Sequence, residues 1–179
     1  MRCLAQTVAL LLLLHTGTYA QTPGVAPEYQ VKAAFLLNFG KFVTWPDSPD
    51  PGTATPFTVC VAGNDPFGSS LDDVLEGQTV KNRPVAIRRQ GADASTLGCH
   101  LLFVGETQAP EVRELLGRLG DQGVLTVGEG DGFVKNGGII GLTLKDKRVQ
   151  FSVNLQQAER ARLKLSAQLL NLATIVQPD

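Results

Sequence analysis

Apolar residues along this chain recur at two periods, and the alternation between them sets the expected architecture. Over residues 28–43, Val31, Phe35, Phe39 and Phe42 return at helical spacing, while Leu36 and Val43 mark a second apolar stripe with Gly40 between them. A helix apolar on two sides needs cover on both. Short runs rich in β-branched and aromatic residues predict strands at "FTVCVAG" (57–63), "RPVAIRR" (83–89), "HLLFVG" (100–105) and "GVLTVGE" (123–129). "NDPFGSSLDDVL" and "APEVRELLGRLG" predict helices, the second with Pro110 near its start and Gly120 past its end. "GGIIGLTLKDKRVQFSVN" predicts a β-hairpin that turns at Asp146-Lys147. Asn154, with Gln157 three residues on, predicts the cap of a last helix running from Leu155 to Val176. Strands alternating with helices, then a hairpin, predict one α/β domain over about residues 27–176: a mixed sheet, helices on both faces, and a C-terminal hairpin plus helix. "PDSPDPGTATP" reads as a surface loop, and there is no internal repeat or second domain.

The first twenty residues change the picture. "MRCLAQTVALLLLLHTGTYA" has one cation at Arg2, an apolar run from Val8 to Leu14 and a small-residue exit at Ala20. That is the layout of a secretory signal peptide over residues 1–20, leaving a mature domain at 21–179. The run falls short of the roughly 20 residues a bilayer span needs, so the mature protein is expected to be exported and not membrane-spanning. Acidic residues number 17 against 16 Lys and Arg. That near balance gives no footprint for nucleic acid.

Cys3 leaves with the signal, so two cysteines remain, Cys60 and Cys99. In an oxidising compartment an even pair is read first as a disulfide, with two buried free thiols as the alternative. Register argues against the bond: Cys60 is late in its strand and Cys99 early in another, too far apart for parallel neighbours in simple register. His100 directly follows Cys99, but neighbours on a strand point to opposite faces, which disfavours a thiol–imidazole pair. A structural zinc site would want about four ligands, and no other Cys or His remains to supply them.

Other chemistry is sparse. There is no Gly-x-Ser-x-Gly elbow, no His-Glu-x-x-His and no Gly-Lys-Ser/Thr phosphate loop. "VGEGDGF" lacks the spacing and the acidic partner of a dinucleotide fingerprint and reads as a glycine turn. "AGNDPFG" falls at the carboxyl edge of the sheet, where α/β folds bind small ligands; its plainer reading is a capped helix start. Asn64 and Asp65 there, with Arg83 and Arg88 from the cluster Lys81, Arg83, Arg88 and Arg89, are the candidate ligand residues. Nothing assembles an active site, and no metal or cofactor is expected.

Taken together, "EYQVKAAFLLNFGKFVTWP", "FTVCVAGNDPFGSSL", "NRPVAIRR", "LGCHLLFVGET", "GVLTVGEGDGFVKNGGIIGLTL" and "VQFSVNLQQAERARLKLSAQLLNLA" resemble the YfiR family of exported proteins, in order and with similar spacing. The family pattern includes Cys60, Cys99-His100, the Gly137-Gly138 step and Asn154 before its helix. The resemblance implies a compact, usually dimeric α/β domain that holds a YfiN-type inner-membrane diguanylate cyclase inactive from the periplasm by binding its sensor region. Some members carry a second cysteine pair, which this chain lacks. The competing reading is a periplasmic small-ligand module using the loops at the sheet edge.

Two surfaces follow as expectations. The glycine-flanked stretch around the hairpin concentrates Phe133, Ile139, Ile140 and Leu142, whose outward members are expected to bind the partner. The second stripe of the first helix, Leu36, Gly40 and Val43, is expected to face a second copy in a homodimer.

Overall fold

Three central strands are buried on both faces, as strands lying under helices on each side must be. The structure, a computed structural model, describes residues 25–46, 55–91, 96–106 and 109–177. The expected signal peptide lies outside the described residues. The elements run α1 (Val25–Phe42), β1 (Val43–Thr44), β2 (Phe57–Ala62), α2 (Ser70–Leu75), β3 (Thr79–Val80), β4 (Arg83–Gln90), β5 (Leu101–Val104), α3 (Ala109–Leu119), β6 (Leu125–Glu129), α4 (Gly130–Lys135), β7 (Ile140–Lys145), β8 (Arg148–Val153), α5 (Leu155–Arg160), β9 (Lys164–Leu165), α6 (Ala167–Leu170) and β10 (Thr174–Ile175).

The main sheet has the order β10-β8-β7-β6-β5-β2-β4-β3. Pairing is parallel from β4 through β7, and antiparallel for β3 on β4 and β8 on β7. After β2 the chain moves outward to β4 on one side, then crosses back to β5 and proceeds to β7. The switch point of this doubly wound order therefore lies between β2 and β5.

Strand parity divides the core in two. Val59, Val61, Leu101, Phe103, Leu125 and Val127 face α1 and α2, packed with Leu36, Phe39, Leu71 and Leu75. Cys60, Ala62, Leu102 and Val104 face the opposite way, under Val112, Leu115 and Leu119 of α3 and Phe133 of α4.

The C-terminus departs from the expected single helix. Asn154 caps α5 as anticipated, accepting from Gln157 N at 3.1 Å. The helix ends at Arg160, however, and Arg162 takes a left-handed conformation at φ 58°. Residues Lys164–Leu165 then pair with β1, and Ser166 caps a new four-residue helix by accepting from Leu169 N. The alternation Leu163, Leu165 after α5 is strand periodicity, which the helical reading of this stretch passed over.

The first helix also turns its faces differently from the expectation. Leu36 and Val43 are fully buried, and a β-carbon at Gly40 would stand 3.1 Å from Val80 and 3.2 Å from the Phe57 ring. Leu36 and Gly40 therefore lie on the core face of α1 and Val43 is buried directly after it in β1, which corrects their assignment to a dimer interface. Among the described side chains of α1, the large apolar ones left exposed are Val31 and Phe42.

Candidate functional site

The Cys-His question resolves first. Cys60 and Cys99 form a disulfide, with Cα atoms 5.8 Å apart. Cys60 pairs across with Leu102, so a straight β5 would put Cys99 three residues away along the strand. Instead Cys99 ends a tight turn: its N–H donates to Thr96 O, and Gly98 takes φ 78°. The chain joins the ladder only at His100, whose N–H donates to Thr58 O. That turn lifts Cys99 over Cys60 and removes the register objection. Arg88 braces it, its Nη2 donating to Leu97 O at 2.7 Å and to Cys99 Sγ at 2.8 Å.

His100 is fixed as an inert group. Thr58 N donates to its Nδ1 at 3.1 Å, and Nη2 of the buried Arg83 lies 2.9 Å from its Nε2. Arg83 is itself spent on the chain, donating to Thr55 O and Pro56 O. Burial, then the Arg83 charge, push the imidazole pKa down to about 4. At neutral pH it is uncharged, and the sulfur beside it is bonded, so Cys99-His100 is no thiol–base pair.

The candidate ligand residues do not converge. Asn64 and Asp65 lie past the carboxyl end of β2, and Arg83 opens β4 at the other end of the sheet. Asp65 accepts from Phe67 N at 2.8 Å, the turn that leads toward α2, and from Arg89 Nε at 2.6 Å. Arg89 also holds Asp72 with two bonds and donates to Gly68 O. The Arg89 hydrogen bonds keep Asp72 below the usual carboxylate range despite some burial. The loop is tied to itself and offers no free anion or cation pair.

The crevice between β2 and β5, where this topology would place a ligand, is shut by main chain. Gly105 N donates to Ala62 O, and a β-carbon on Gly105 would lie 1.8 Å from Asn64 O. Beside it, over the ends of β5 and β6, a cavity of about 420 Å³ is lined by Val104, Val112 and Phe133 with Glu106 and Glu129 at its rim. At the opposite end, between Trp45, Pro46 and α5, a groove of about 500 Å³ is flanked by Glu159, Arg162 and Lys164.

Sequence reading missed a buried ion cluster. Lys32, only 3% exposed, donates to Glu129 and lies 2.5 Å from Glu28, with its ammonium 4.5 Å above the Tyr29 ring. Burial pulls the Lys32 pKa down, but its hydrogen bonds to Glu129 and Glu28 outweigh that and the net shift is upward. The available signal was Glu28 four residues before Lys32, on the same stripe as Leu36.

The expected partner patch is interior. Phe133, Ile139, Ile140 and Leu142 are all buried at 7% exposure or less, correcting their placement on the surface. The Phe133 ring is clamped between Gly128 and Gly138, where β-carbons would stand 2.4 and 2.1 Å from it. Ile140 and Leu142 point at α1, and Ile139 N donates to Thr126 Oγ1. Among the described residues no group of three or more His, Cys, Asp or Glu is placed to hold a metal ion, and no helix is long and apolar enough to cross a membrane.

Two comparisons bear on this arrangement. A conserved domain protein of Vibrio cholerae O1 biovar El Tor has a similar fold, at TM-score 0.51 and 13% identity over 68% of this chain; the match spans about 55% of that protein. A family model described as YfiR/HmsC-like matches residues 29–174.

Proposed function

The chain belongs to the YfiR/HmsC-like family, and we propose that it is an exported, non-catalytic regulator of diguanylate cyclase signalling. In this reading it binds the periplasmic sensor region of a membrane-bound cyclase and holds the enzyme inactive, lowering cyclic di-GMP. The observation that carries it is a site without reagents. The one Cys-His pair is a disulfide beside an imidazole held neutral, and the switch-point crevice is filled by the contact between Gly105 and Asn64. A crosslinked domain whose Cys-His pair, among the described residues, offers no free thiol suits recognition better than turnover. The same closed crevice counts against a small-ligand module built on the "AGNDPFG" loop.

Deleting the gene in its native host and measuring cyclic di-GMP tests this. The nucleotide should rise, and the exported domain supplied in trans should bring it back. An unchanged level on deletion would refute the reading.

A further inference from the structure

The hairpin β7–β8 reaches past the rest of its sheet. β6 pairs with β7 only as far as Leu142, and β10 meets β8 only at Ser152 and Val153, yet β7 and β8 pair with each other out to Lys145 and Arg148. The turn between them has Asp146 and Lys147 at φ 50° and 60°. Two successive left-handed residues make a two-residue turn whose twist suits the flanking strands. Lys145 and Arg148 are then the closing hydrogen-bonded pair, which aims the N–H and C=O of Val149 at the outer edge of β8. The same parity holds four residues on, where Val153 O accepts from Val176 N at 2.9 Å.

Among the described residues nothing pairs with the outer edge of β8 at Val149. The apolar face also runs out onto this arm. Ile140 opposite Val153 and Leu142 opposite Phe151 are core pairs, and the next pair on that face, Leu144 opposite Val149, has Leu144 47% exposed. Lys145, Lys147 and Arg148 surround the tip with only Asp146 among them, and none appears in the ion pairs of the described residues.

We propose that the outer edge of β8 around Val149 accepts an extended, acidic segment of a partner protein as an added strand. Main-chain bonds to Val149 supply the docking, Leu144 and Val149 take alternate apolar side chains, and the cations select carboxylates. Charge decides the occupant. A second copy joined edge to edge would set Arg148 and its neighbours against their own kind, whereas an acidic strand neutralises them. The inference rests on the reading of this protein as a partner-binding regulator and names the surface it would use.

The test places a benzophenone amino acid at Val149 of the full chain, expressed in its native host, followed by irradiation and mass spectrometry. The expected product is an adduct with one other protein, attached within an acidic extended segment. With the crosslinker moved to Leu144, Val149→Pro removes the outward N–H without touching the bonds to β7, and Arg148→Glu reverses the charge. Each should cut the adduct at least about tenfold, while the thermal midpoint stays within about 2 °C. An adduct with a second copy, an adduct with phospholipid, or no adduct would each overturn the inference. Repression that survives both substitutions would overturn it too and leave the regulatory reading standing. An acidic partner without any link to a cyclase would keep the docking edge and remove that reading.

Discussion

The carbonyl oxygen of Asn64 stands where a β-carbon of residue 105 would have to be, 1.8 Å from its ideal position. Two backbone segments thus meet across the crevice that a doubly wound sheet usually leaves open for a ligand. Neither segment is a flexible side-chain tip, so a methyl group there cannot be absorbed by a rotamer change. Gly105→Ala should cost about 2–4 kcal/mol, readable as a drop in urea midpoint at unchanged slope. A loss below about 0.5 kcal/mol would mean the crevice opens easily, and the ligand-module reading would regain its ground.

The disulfide should be worth much of the domain's margin. It closes a loop of 39 residues, which constrains the unfolded chain by about 4 kcal/mol in the entropy model. Chemical reduction or Cys99→Ser should lower stability by roughly 2–4 kcal/mol. Periplasmic material alkylated without reductant should show no free thiol at Cys60 or Cys99. Two modified cysteines by mass would sink the claim.

The Glu28–Lys32–Glu129 cluster makes a sharper prediction. Lys32→Met keeps the apolar stem and removes the cation, leaving two partly buried carboxylates facing each other without a counter-ion. The loss should be about 3 kcal/mol. Glu129→Gln added to Lys32→Met should return part of it, because the second substitution removes the charge the first one stranded. A double variant no better than Lys32→Met alone would show that the cluster acts only by packing.

The homodimer expectation moves to the other side of α1. Leu36→Glu would drive a carboxylate into the core and should unfold the domain rather than yield a monomer. Phe42, 39% exposed on the outward face with Val31, is the position where a charge can separate two copies and spare the fold. Light scattering of the mature chain at micromolar concentration should give a dimer mass, and Phe42→Glu a folded monomer. A monomer mass for the unmodified protein would end the dimer expectation.

Much of this fold was legible because its signals are local. The short apolar, β-rich runs at "FTVCVA" and "LLFV", Asn154 as a cap and the turn at Asp146-Lys147 each depend on neighbours within a few residues, and each appears where expected. What stayed hidden depends on distant partners. Nothing around Leu36 says whether that stripe meets Phe57 and Val80 or a second molecule; both are apolar. Phe133 looks like a surface anchor until Gly128 and Gly138 are known to clamp its ring. The C-terminal helix was overextended because a capping residue, Ser166, sits inside a stretch of good helix formers and signals a new start only once β9 has paired with β1.

His100 gives the fold a predictable pH dependence. Its pKa falls from 6.5 to about 4 in the folded state, chiefly through burial and then through Arg83. Between those values the unfolded chain takes a proton that the native imidazole refuses, so the unfolded state is favoured progressively as pH drops. Above pH 6.5 the ring is neutral in both states and the contribution is constant. Asp72, held low by Arg89, adds its own loss only under about pH 3.8, below this window. Stability of the mature domain should therefore decline from pH 6.5 toward pH 4.5, a span in which His100 is its one imidazole. His100→Gln, which keeps a polar group beside Thr58 N without a titrating ring, should flatten that slope even if it lowers the overall midpoint. A variant whose denaturation midpoint falls with pH as steeply as the parent's would show that His100 already carries its proton in the native state.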